Sequence, residues 1–75
     1  MNQQEIAHQI KLLNIYRSNL RILINQAEMY GDVKLLPMYL INNILTQMEN
    51  IQHIKSVLGT YYTEEPIDRF QLPGN

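Results

Sequence analysis

Between Leu12 and Gly31 the chain reads LLNIYRSNLRILINQAEMYG, with an apolar residue every three or four positions. That spacing is the mark of an amphipathic helix. Neither Gly nor Pro interrupts the stretch from Gln3 to Tyr30. The pattern therefore predicts one long helix over about 3–30, closed by Gly31 as a left-handed cap. The connection is GDVKLLP, in which Pro37 has its φ preset for a first helical turn and needs no N–H there. A second helix follows over about 37–58 and stops at Gly59. So short a link returns the second helix antiparallel to the first. The expected fold class is all-α, an antiparallel two-helix hairpin over residues 1–59. Residues 60–75, TYYTEEPIDRFQLPGN, hold two prolines and three acids and read as an irregular tail or linker.

The first helix carries more apolar surface than one partner helix can use. Leu13, Tyr16, Leu20, Leu23, Ala27 and Tyr30 follow a heptad seam of alternating three- and four-residue steps. Leu12, Ile15, Asn19, Ile22, Gln26 and Met29 repeat the same steps on the adjacent face. Lys11, Asn14, Arg17, Ser18, Arg21, Asn25 and Glu28 take what remains. The second helix offers one face, from Leu40, Ile44, Met48, Ile51, Ile54 and Leu58, with Ile41 beside it. It can cover one seam. The seam containing the small Ala27 is assigned to the intrachain core, together with that face of the second helix.

The other seam then has no mate within the chain. Leaving Leu12, Ile15, Ile22 and Met29 in water would forgo roughly 6–12 kcal/mol of burial as an upper bound. A domain this small has a net stability of only about 5 kcal/mol. An exposed apolar row of this length reads as an interface, and the expected assembly is a two-fold dimer forming a four-helix bundle. Asn19 and Gln26 in the seam admit two readings. They are register-setting polar residues of an interface, or they lie at the solvent edge of a broad core.

Composition narrows the class of function. The chain has 75 residues and no cysteine, so it makes one small domain without disulfides or thiolate chemistry. Six Lys/Arg against seven Asp/Glu give a net charge of −1. No basic cluster suits a phosphate backbone, so nucleic acid is not an expected partner. The start, MNQQEIAHQI, lacks the basic and apolar regions of a signal peptide. The longest uncharged run, Leu35 to Met48, is too short to cross a bilayer. A cytoplasmic module without a membrane partner is expected. Asn and Gln make up 15 of the 75 residues but are scattered, and Leu and Ile number ten each, so no prion-like tract is present.

Candidate chemistry is sparse. His8 and His53 can approach one another at one end of the hairpin, yet two imidazoles alone make no zinc site. Glu49 and His53, four apart, read as a solvated face. There is no phosphate loop, no nucleophile–base set and no paired carboxylates, and two helices do not enclose a substrate cavity. No catalytic residue, cofactor or metal ligand is expected. Arg17 and Arg21 read as part of a solvated polar face, with an acidic partner patch as the alternative. Tyr61 and Tyr62 are expected to pack back on the hairpin end.

The run YRSNLRILINQAEMYG, a short proline-bearing loop and then LINNILTQMENIQHIKSVL resemble helical-hairpin modules of bacterial signalling proteins. The matching positions are Tyr16, Asn19, Leu20, Leu23, Gln26, Ala27 and Gly31, then Leu40, Asn42 or Asn43, Ile44, Ile51 and Ile54. Such modules resemble effector-associated, death-like adaptor domains beside STAND-type NTPases, caspase-like peptidases or TIR domains. Thr46, Gln47 and Asn50 depart from the more charged second helix of that family. The chain also ends soon after the hairpin, as an excised module or a free-standing adaptor would. The resemblance implies a non-enzymatic adaptor that binds itself, or a like hairpin on an effector or sensor protein, in bacterial defence. A plain structural dimerisation hairpin and a membrane-surface amphipathic helix are the alternative readings. Helix 1 has only three basic residues and no Trp for the last of these.

Overall fold

The computed structural model describes residues 1–73. Two long helices, α1 (Gln3–Glu28) and α2 (Met38–Leu58), fold back on one another. Two short 3-10 turns complete the fold, α3 (Val33–Leu35) in the connection and α4 (Pro66–Arg69) in the tail. No strand occurs among the described residues.

The helix ends follow local chemistry. Asn2 caps α1, its side-chain oxygen accepting from the Glu5 N–H at 2.8 Å, which satisfies one of the orphan donors of the first turn. At the other end the chain tightens, with Met29, Tyr30 and Gly31 N–H groups donating to the carbonyls three residues back. Gly31 then takes φ +77°. Pro37, with φ −59°, sits just before α2 rather than within it. Gly59 ends α2 at φ +63°, and its N–H donates to Lys55 O. Nothing lies within 4 Å of where a Cβ would be placed on Gly59. Gly59→Ala is thus expected to cost about 1–2 kcal/mol from backbone strain alone, measured as a lower urea midpoint.

The intrachain core agrees with the heptad reading at most positions. Leu13, Leu20, Leu40, Ile44, Ile51, Ile54 and Leu58 are buried, and Tyr16, Leu23, Ala27 and Met48 pack against them half-buried. Tyr30 does not. It lies beyond the end of α1 and is exposed, because three-and-four spacing places residues on one face only while the backbone stays helical.

The tail departs from expectation. Residues 60–73 are not merely irregular: the segment forms α4 and lies along the groove between α1 and α2. Leu72 joins the buried core, while Tyr62, Ile67 and Phe70 pack against it. α4 also has a local cap, the Asp68 side chain accepting from the N–H of Glu65 at 3.1 Å while the N–H of Asp68 donates to the Glu65 carbonyl at 3.0 Å. The docked segment thus buries apolar surface, and it also meets a buried arginine of α1.

Candidate functional site

The docked tail gives the hairpin two unlike sides. On the tail side, Arg17 is only 4% exposed and Asp68 6%. Arg17 follows Leu13 by four positions and precedes Leu20 by three, so its stem lies on the core side of α1. The guanidinium meets the Asp68 carboxylate as a two-pronged pair, Nε to Oδ1 at 2.8 Å and Nη2 to Oδ2 at 2.7 Å. Nη1 donates to Glu65 Oε2 at 2.7 Å and Nη2 to the Thr63 carbonyl at 2.9 Å. Arg21 reaches the other Glu65 oxygen at 2.8 Å. Lys55 pairs with Glu64 at 2.8 Å and lies over the Tyr62 ring, 5.4 Å from its centre. Gln52 donates to the Asp68 carbonyl at 3.0 Å. This clasp occupies the arginine's donors. It ties the tail to α1.

Arg17 and Arg21 were expected on a solvated face, and for Arg17 the structure overturns that. The acidic patch they meet belongs to the same chain. The usable signal was Arg17's place between two core leucines, matched to a tail that supplies Glu65 and Asp68 three apart beside Ile67, Phe70 and Leu72.

Burial acts most strongly on Asp68 and by itself would push its carboxyl up. Hydrogen bonds from Arg17 and from the Glu65 N–H, with the charges of Arg17 and Lys55, outweigh it and hold the carboxyl below its ordinary value. The Arg17 guanidinium is raised, chiefly by its hydrogen bond to Asp68. A carboxyl depressed in the folded state stabilises fully above its unfolded pKa and stops doing so as pH falls through the folded one. Stability is therefore expected to be level above about pH 5 and to fall below about pH 4. Asp68→Asn should flatten that acid limb in denaturant titrations at stepped pH.

The opposite side is open. Ile15, Ile22 and Met29, seven residues apart, are all exposed, Met29 at 86%. Asn19 and Gln26 lie exposed between them. Leu12 alone of the six expected interface residues turns inward, half-buried against the core. Across the groove, Asn43 and Gln47 of α2 share a recess with Asn19, Ile22 and Leu23. Tyr39 and Leu40 share another with Gln26, Met29 and Tyr30. None of these residues is Asp, Glu, Lys or Arg, and Lys11 stands at the rim near Ile15 and Asn19. Ion pairs crowd the tail side of the hairpin, whereas the two recesses beside Ile22 and Met29 are lined by uncharged residues.

No group of three or more His, Cys, Asp or Glu placed to hold a metal occurs among the described residues. No described helix is long and apolar enough to cross a membrane. No known family matches the chain, and neither a curated protein nor a solved structure is detectably similar to it.

Proposed function

We propose that this chain is a non-enzymatic interaction module that works by hairpin-to-hairpin association through its open face, most simply as a two-fold dimer of four helices. One observation carries the reading. Ile15, Ile22 and Met29 stay in water after the chain's second helix and its tail have both been used to cover α1. An apolar row of this kind gains by meeting a partner. Apart from Lys11 at its rim, the recesses beside it are lined without formal charge, which favours a partner with a largely neutral surface, including a like hairpin. The tail lies on the other side, so association through this face leaves the Arg17 clasp intact. Recruitment of an effector or sensor bearing a like module, in bacterial defence signalling, is the role that the sequence resemblance adds to this picture.

The test is sedimentation equilibrium of the whole chain at high micromolar concentration. A mass about twice the 8.9 kDa of one chain is expected. A folded species that stays at 8.9 kDa overturns the reading.

A further inference from the structure

We infer that the groove between α1 and α2 is a docking site for an extended acidic and apolar peptide, closed in each chain by its own tail, and that the tail of a second copy fills it in exchange. What the groove reads is visible in its occupant. Arg17 is buried, and it donates through Nε and Nη2 to Asp68 and through Nη1 to Glu65. A buried guanidinium without its carboxylates is costly, so the groove demands acids at these two places. Ile67, Phe70 and Leu72 pack on the core beside them. Gln52 holds the backbone, donating to the Asp68 carbonyl. The pattern read is Glu-x-Ile-Asp-x-Phe-x-Leu, residues 65–72 of this chain.

The tail is attached in a way that permits exchange. Among the described residues, one backbone bond runs from the tail to a helix, from the Tyr61 N–H to Leu58 O at 3.0 Å. The rest of the hold is made by side chains of α1 and α2, and it is the same whichever chain supplies the tail. Gly59, at φ +63°, and the exposed Thr60 and Tyr61 join α2 to the tail ahead of the clasp. A change of direction there moves residues 62–73 as a unit. A second copy carries the identical segment, so reciprocal exchange forfeits no clasp contact. Within one chain the tail stands at an effective concentration of about millimolar. The closed form therefore prevails in dilute solution, and exchange takes over where the clasp in cis is weakened. The groove lies on the tail side, away from Ile15, Ile22 and Met29, so this exchange does not rest on association through the open face.

The experiment uses the full chain in two charge-reversed variants. Arg17→Asp sets a carboxylate against Asp68 and Glu65, and Asp68→Arg sets a guanidinium against Arg17. Each alone should melt roughly 15 °C or more below wild type. Refolded together from urea in equal amounts, the two can trade tails so that each groove meets the opposite charge. The mixture should then melt about 10 °C above either variant alone. A mixture that melts as its components do separately overturns the inference. Should the variants fail to refold, a labelled peptide of residues 60–73 decides. It should bind the Asp68→Arg chain, whose own tail is repelled, about tenfold or more tighter than wild type, where the tail in cis competes. Equal binding to both chains, or binding to neither at about 1 mM, overturns the inference. Wild type that sediments as a monomer removes the open-face reading and leaves this one standing, since at micromolar concentration its tails stay closed.

Discussion

Arg17→Ala is expected to destabilise the chain by roughly 3–5 kcal/mol, because it strands the Asp68 carboxylate in the interior without its cation. In a domain whose whole stability is about 5 kcal/mol, that lowers the thermal midpoint by roughly 15 °C or more. The loss has a place as well as a size. Asp68 and Phe70, whose N–H groups donate to Glu65 O and Ile67 O, should lose amide protection first, as α4 leaves the groove. Arg17→Lys should fare little better, since an ammonium cannot make the two-pronged contact with Asp68 while also reaching Glu65 and Thr63. Removing both charges is a different case. Arg17→Met with Asp68→Leu fills the same space without ions and should lie within about 1 kcal/mol of wild type, because a buried ion pair roughly balances its own desolvation. Melts of all four chains by circular dichroism check this. A single alanine variant as stable as wild type would mean the tail is held by its apolar residues alone.

Ile22→Glu should separate assembly from fold. Read from sequence alone, the same change would be expected to weaken the helices along with the dimer, since two bare helices bury little by themselves. The structure alters that expectation. Ile22 is exposed, and the core beneath it is completed by α2 and by Leu72 of the tail. The predicted result is a dissociation constant raised about 100-fold or more, from a carboxylate placed in an apolar contact, with helix content unchanged. Sedimentation and circular dichroism on one sample read both quantities. Unchanged mass would place Ile22 outside any contact, and lost helicity would show that the monomer cannot stand alone.

What the chain's linear pattern determines is whatever local spacing controls. Uninterrupted three-and-four periodicity sets both helices, and Gly31, Pro37 and Gly59 set their limits to within a residue or two. Core positions such as Leu20, Ile44 and Ile51 follow from the same periodicity, because in a helix spacing dictates facing. The exposed row Ile15, Ile22 and Met29 was legible for the same reason. The tail's place was not. Arg17 and Asp68 are 51 residues apart, and no periodic signal links a helix to an extended strap. Nor does a wheel drawn for two helices show that the arginine flanking the core will be covered by a third element. Only the packed structure decides that Arg17 is an internal strut while its neighbours Ile15 and Ile22 are left to water. A long-range pairing is chosen by the sum of all contacts made at once, which no short window of sequence contains.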